Sequence, residues 1–388
     1  AVGQDVCAVV AFMGTWASPD ISLAAIMELR HLPLAVWGFG MYEDKGKRES
    51  TGSFVALNVM KGSLCRMGIR HKGLFADVAD NDALEELAVF CRAASAKQAL
   101  RRSRLGLVGY SAMSIYPGTF DHALMRAKVG PEIVHIDTYE LISMAEQSAD
   151  KQRKQVMDRL TSIARIADDI DGEAMNKAAG LYVGLKALVE KHHLDGINVK
   201  CQMELSQMYG CIACVPTSLL ADDGICTSCE GDVPLMVSMA ILDRLSGTRA
   251  TYGDVLDVAD GKLYLSSCGF APPSLCHPDC RAAIRDIGYP GFKGPLVSVQ
   301  LKEGRITLLR LVETVGGHEI HLTRANALKS DLRQGRFPAV SAKIDGNLEA
   351  FTNRLMANHY AFVYGDVRAE LRELAALQHW GIVDYETL

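Results

Sequence analysis

The chain has 388 residues, of which 49% are hydrophobic and 22% charged, and its formal net charge is −5. This is the composition of an ordinary globular protein of two or three domains, and its weak negative balance gives no footing for a nucleic acid. No apolar run reaches the roughly 20 residues of a membrane span. No secretory pattern opens the chain, and eleven cysteines suit reduced thiols in a cytoplasmic protein better than a disulfide framework.

The chain begins without Met and enters almost at once into a strand-like stretch, residues 6–12, as though a domain opened in mid-strand with its first residues missing. Residues 34–37 read as a second buried strand. Asp82 and Glu85 make a capping-box-like start to a helix that carries Leu84, Leu87, Ala88 and Cys91. Arg101, Arg102 and Arg104 read as a solvated helix end, and a new unit begins there. Residues 105–108 predict a strand, 109–118 a loop, 121–128 a helix and 133–136 another strand. That is a βαβ signature, which implies a parallel sheet with helices on its faces.

A long helix is expected from about 173 to 192. Asp195-Gly196 then turns the chain into a short buried strand, 197–201. Loops at strand ends of open α/β sheets are where ligands usually bind, so Gln202-Met203-Glu204 is well placed for chemistry. After residue 247 the pattern changes. Residues 262–267, 295–301, 305–312 and 318–323 read as strands, Lys302-Glu303-Gly304 as a hairpin turn, and a last helix near 367–377 as a cover for one end. The expected fold class is α/β, with Rossmann-like parallel-sheet domains followed by a mainly antiparallel, barrel-like domain. The expected boundaries are 1–98, 99–246 and 247–388.

Three short stretches carry chemistry. Cys229-Glu230-Gly231-Asp232 and Tyr252-Gly253-Asp254 each set a carboxylate beside a glycine, with an apolar run and Ser246-Gly247 between them. Ala357-Asn358-His359-Tyr360 precedes a strand-like segment. Two carboxylates and an imidazole form a hard oxygen-and-nitrogen donor set, suited to Mn²⁺ or Mg²⁺ rather than to a thiolate-seeking metal. Plainer roles exist for each residue. Asp232 can cap the apolar helix that follows, Asp254 can cap a turn, and a single histidine before a strand is commonly structural. His318 and His321 alternate on a presumed strand and read as one solvated or packed face.

Together with Val199-Lys200-Cys201-Gln202-Met203-Glu204, Leu245-Ser246-Gly247 and Leu265-Ser266-Ser267-Cys268-Gly269, these stretches resemble the L-fucose isomerase and L-arabinose isomerase superfamily. The resemblance covers roughly residues 100–388, and 1–98 more weakly. It implies a metal-dependent aldose–ketose isomerase that moves a proton between C1 and C2 of a sugar through an enediol. It further implies that Glu230, Asp254 and His359 hold the metal, usually Mn²⁺, and that Glu230 and Asp254 share the acid–base work. Gln202, Glu204 and Asn358 match sugar-contacting positions, and Trp16 matches a residue that reaches a neighbouring subunit's site. The implied assembly is a homo-oligomer, a trimer or a hexamer of two trimers. One departure from the pattern leaves the sugar open: Ser267 stands before Cys268 where some relatives carry His. An anionic substituent on the sugar would need a cation such as Lys200, Lys293 or Arg324.

Two alternatives belong to other classes. One is a non-catalytic sugar-binding relative of the same fold. The other is a structural zinc protein using Cys211-x-x-Cys214 and Cys226-x-x-Cys229, although neither pair has the glycine or proline usual in a metal knuckle. No G-x-G-x-x-G follows the strand at Leu105 and no Gly-rich Lys-Ser/Thr loop occurs, so neither a nicotinamide cofactor nor ATP is supported.

Overall fold

The computed structural model describes residues 6–388, which fall into two compact units: the chain up to 98 together with 369–377, and 99–368 together with 378–388. Among the described residues no helix is long and apolar enough to cross a membrane.

The first unit is built on a three-stranded parallel sheet in the order Val9–Met13, Leu34–Gly38, Lys72–Phe75. Leu34–Gly38 is its central strand and is buried along its whole length, as a strand covered on both faces must be. The helix Ser53–Arg66 lays Ala56, Leu57, Met60 and Leu64 against it at helical spacing. Ser53 opens that helix and ties it to the sheet, accepting from Phe39 N at 2.9 Å and donating to Met13 O. The first strand starts at Val9, later than expected, since residues 6–8 have no strand partner.

One sequence expectation is corrected in this unit. The helix Asn81–Arg102 is capped by Asp80, whose carboxylate accepts from Asp82 N at 2.9 Å and Ala83 N at 3.2 Å. Asp82 already lies inside the first turn, where its side chain cannot serve as the cap. Glu85 instead pairs with Arg92. Residues 369–377 belong to the first unit, where Glu370 pairs with Arg92 at 2.8 Å and Glu373 with Lys72 at 2.8 Å.

The second unit joins a parallel sheet to a closed antiparallel barrel. The parallel sheet has the order Cys226–Cys229, Gly196–Val199, Arg104–Val108, Glu132–Ile136. Its helices include the long Gly172–His192. The barrel strands follow the order Gly304–Thr314, His359–Tyr364, Thr251–Ala259, Lys262–Ser266, Ala339–Ile344, Gly317–Leu328, and the last pairs back to the first. Gly381–Asp384 adds to Gly317–Leu328 as a parallel seventh strand. Parallel and antiparallel parts thus stand as the sequence pattern suggested.

The helix Val233–Ser246 connects the two parts. It leaves the edge strand Cys226–Cys229 and packs on Gly304–Thr314 and His359–Tyr364. Ser238 Oγ accepts from Leu311 N at 2.8 Å, which binds the helix to the barrel through a backbone group. The expected hairpin at Lys302-Glu303-Gly304 is absent. Lys302 N donates to Leu275 O at 2.9 Å, and Pro295–Ser298 pairs with Ala283–Asp286 in a separate small sheet that includes Arg165–Ile166. The hairpin turns at Val315-Gly316, where Thr314 faces Gly317.

Asp243 fixes the far end of the Val233–Ser246 helix. Its carboxylate accepts from Ala250 N at 2.6 Å and from Arg249 at 2.7 Å, just before the first barrel strand. Burial pushes this carboxyl up to about 6 from 3.8, against the pull of Ala250 and Arg249. Between roughly pH 4 and 6 the unfolded chain therefore releases a proton that the folded chain keeps, and stability falls as pH rises. Above about pH 6 this contribution is flat. Urea unfolding measured across that window is expected to show the slope in the wild type and to lose it in Asp243→Asn.

Candidate active site

Three chain segments meet at one place in the second unit. Glu230 follows Cys226–Cys229 at the carboxyl edge of the parallel sheet, the usual ligand edge of such sheets. Asp254 and His359 lie on neighbouring antiparallel barrel strands in direct register, so their side chains share a face. His359 Nε2 stands 3.4 Å from Glu230 Oε2 and 3.3 Å from Asp254 Oδ1. Neither contact has hydrogen-bond geometry, and this buried nitrogen is left without a partner. The other ring nitrogen, Nδ1, is 2.9 Å from Asp232 Oδ2.

The backbone at this point is unusual. Glu230 adopts a left-handed conformation with φ 67°, which costs a residue with a β-carbon free energy and is commonly kept at functional sites. Gly231 follows with φ 70°, and a β-carbon there would lie 2.2 Å from the carbonyl oxygen of Tyr110. Asn198 secures the turn. Its amide oxygen accepts from Gly231 N at 2.7 Å, and its nitrogen donates to Asp232 O at 3.0 Å and Cys229 O at 3.2 Å.

The electrostatics follow from burial. Glu230 and Asp254 are both pushed above the usual carboxylate range by loss of water, and for Asp254 the nearby Glu230 adds to the push. Burial alone would lower His359, yet Asp232 and Glu230 raise it well above an ordinary imidazole. Asp232 is also buried, but Arg310 and His359 beside it hold its carboxyl down at about 2.

The site would suit a hard divalent cation. Its donors are two carboxylates and one imidazole, and its distinctive feature is the orphaned Nε2 between them. Adjacent ligands of an octahedral ion bound at about 2.1 Å stand about 3 Å apart, close to the separations here. Among the described residues no group of three such side chains stands in finished metal-binding geometry. The fit therefore rests on donor chemistry and on the unpartnered nitrogen.

The remaining sequence candidates fall differently. Asn358 Nδ2 donates to Asp254 Oδ1 at 2.8 Å, which joins it to the cluster. Gln202 is buried just beyond Gly196–Val199, with its Oε1 unpartnered. Glu204 pairs with the buried Lys200, whose ammonium lies 4.0 Å from the centre of the Tyr110 ring. Trp16 belongs to the first unit, where it is half-exposed and its backbone N–H donates to Thr51 O at 3.0 Å. Arg324 is taken up by Asp345 and Asp366.

The two Cys-x-x-Cys pairs do not come together as a zinc site. Cys211 donates to Ala174 O and Cys226 to Met236 O. Cys214 and Cys229 instead each contact Cys201 and Cys268. Cys226 and Cys229 stand three residues apart on one strand, so they point to opposite faces of the sheet. His318 and His321 are both buried, and His321 is held by Tyr385 at 2.8 Å and Glu319 at 2.9 Å.

Sequence reasoning did not find Arg310, Tyr252 or the second duty of Asp232. Asp232 is the expected helix cap, accepting from Leu235 N at 2.9 Å, but its other oxygen serves His359 and Arg310. Arg310 is 1% exposed amid Leu308, Leu309 and Leu311. A charge inside so apolar a strand must have a buried partner, and that was the available signal. Tyr252 packs edge-on to His359 with ring centres 5.4 Å apart. Its place two residues before Asp254 puts it on the same strand face.

No family model matches the chain. Curated relatives do. It is 26% identical to the sulfoquinovose isomerase of Priestia aryabhattai, across 92% of this chain and 80% of that protein. The sulfoquinovose isomerase of Priestia megaterium matches to the same extent. That of Alkalicoccus urumqiensis is 24% identical across 96% of this chain and 84% of its own.

Gly231→Ala tests the tight turn beside Glu230. Both the positive φ and the clash with the Tyr110 carbonyl oppose a β-carbon, so thermal and urea unfolding are expected to show a loss well above about 1 kcal/mol.

Proposed function

We propose that this protein is a cation-dependent aldose–ketose isomerase acting on a monosaccharide with an anionic substituent, sulfoquinovose being the first candidate. The observation that carries this reading is the convergence of Glu230 and Asp254 on the unpartnered Nε2 of His359. The sugar-isomerase class is supported by similarity along nearly the whole chain to proteins named sulfoquinovose isomerase.

Glu230, Asp254 and His359 would hold the cation, Mn²⁺ or Mg²⁺. Bound there, it would supply Lewis-acid polarisation of the sugar carbonyl and the adjoining hydroxyl. The chain's own residues do the rest. One of the two buried carboxylates takes the proton from C2 of the open-chain aldose, an enediol forms, and the proton is returned at C1 to give the ketose. No redox partner is needed, because the reaction only relocates hydrogen within the sugar. Loss of water raises the Glu230 and Asp254 carboxyls above the usual carboxylate range, the direction that makes a carboxylate a better base. Gln202, with its free amide oxygen, Glu204 and Asn358 would hold the sugar hydroxyls. An anionic substituent calls for a cation, and Lys200 is the buried one that the Gly196–Val199 strand delivers to this edge.

Sulfoquinovose and a panel of neutral aldoses incubated with the Mn²⁺-supplied protein in D₂O give the direct test. Deuterium is expected at C1 of the ketose formed and, through the reverse reaction, at C2 of the recovered aldose, and Glu230→Gln should slow the exchange by about 10²- to 10⁴-fold. Absence of exchange with every sugar would overturn the proposal. The reading also includes a trimer or a pair of trimers, with Trp16 reaching a neighbouring subunit's site. Light scattering is expected to give three or six copies, and a monomeric mass would remove that part.

A further inference from the structure

We infer that Asp232, with Arg310 behind it, is a positioning pair that fixes the ring of His359 and aims its Nε2 at Glu230 and Asp254. In so far as it concerns cation affinity, this inference rests on the cation-dependent reading above.

Three groups meet the Asp232 carboxylate. Oδ1 accepts from Leu235 N at 2.9 Å and starts the Val233–Ser246 helix. Oδ2 lies 2.9 Å from His359 Nδ1 and accepts from Arg310 Nη1 at 2.8 Å. Arg310 in turn donates from Nη2 to Pro117 O at 2.6 Å. Asp232 and Arg310 are each 1% exposed, and His359 is fully buried.

Helix capping does not account for this arrangement. A cap uses one oxygen, and serine, threonine or asparagine serves as well as aspartate. The second oxygen and the buried guanidinium are left over. A buried arginine carries a heavy desolvation cost that an N-cap gives no reason to bear. What Oδ2 does achieve is to hold Nδ1 as the donor, which sets the ring plane and leaves Nε2 facing the two carboxylates. A half-turn of the ring would place carbon against Asp232 and lose that bond. The carboxylate cannot swing away to follow, because Oδ1 is committed to the helix and Asn198 holds the main chain on both sides. Arg310 keeps Oδ2 in line and neutralises a charge that would otherwise be buried with the imidazole alone.

The experiment compares the wild type with Asp232→Asn, Arg310→Lys and Leu235→Ala. The last is a control in the same helix turn that truncates a buried side chain and keeps the backbone N–H that Asp232 caps. Two readouts are needed: Mn²⁺ affinity by electron paramagnetic resonance, and the ring ¹⁵N and Nδ1–H signals of His359 in the metal-free protein. Asp232→Asn is expected to bind Mn²⁺ about 10- to 100-fold more weakly and to shift the ring signals. Arg310→Lys should lose less, and Leu235→Ala should lose stability with Mn²⁺ affinity unchanged. Equal losses in Asp232→Asn and Leu235→Ala would reduce Asp232 to a structural part and overturn the inference, as would an Asp232→Asn protein that binds like the wild type. If the wild type binds no Mn²⁺, the cation reading falls, and the ring signals decide alone. A shift in Asp232→Asn then sustains the positioning role, and identical signals overturn it.

Discussion

The second unit depends on one buried carboxylate. Asp232 sits between the guanidinium of Arg310 and the imidazole of His359, with water excluded from all three. Two potential cations and one anion in a dry interior are tolerable only if their geometry is good and their remaining polar atoms are satisfied. Here the network also does architectural work. Asp232 begins the helix that runs from the parallel sheet to the barrel, Arg310 belongs to one barrel strand and His359 to the next. The charges thus bind the parts whose junction forms the site, and Pro117 brings in the loop beyond the Arg104–Val108 strand. Removal of one member would leave the others buried and unpaired, which is far costlier than replacing all three by apolar residues.

The site adds local strain to this frame. Glu230 is held left-handed between a strand end and a helix cap, and Gly231 lets the Tyr110 loop come within contact of the turn. A backbone so tightly determined fixes the point from which the Glu230 side chain reaches toward His359, the kind of preorganisation that lowers the cost of reaching a reactive geometry.

Much of the fold was legible because its signals are local. The βαβ run of 104–136, the long Gly172–His192 helix and the change to strands after residue 247 follow from periodicity and turn residues. The misread hairpin at Lys302 shows the limit: a glycine after two polar residues looks like a turn, but the backbone of Lys302 is claimed by Leu275, far away in sequence. The Arg368–Gln378 helix was legible as a helix, but only tertiary contacts reveal that its acids meet Lys72 and Arg92. At the site, Glu230, Asp254, His359 and Asn358 stood out as short motifs, and the structure brings all four together. Arg310 and the second role of Asp232 were hidden because a helix cap and a strand residue carry no mark of what lies across the interior from them.

The register of two barrel strands has a consequence for how the molecule comes into being. Asp254 and His359 oppose each other only because the strand near the end of the chain pairs with the first strand of the barrel. A slip by one residue would turn one of them to the other face. Glu230 arrives from a different sheet altogether. The three side chains therefore have no local precursor, and no hairpin or helix formed early could hold two of them. Closing such distant pairings is the slow part of folding a topology of this kind. An intermediate with its helices and parallel sheet in place would have Glu230 positioned but neither Asp254 nor His359 beside it, which makes the assembled cluster a late-arriving reporter of complete folding, silent until the barrel has shut.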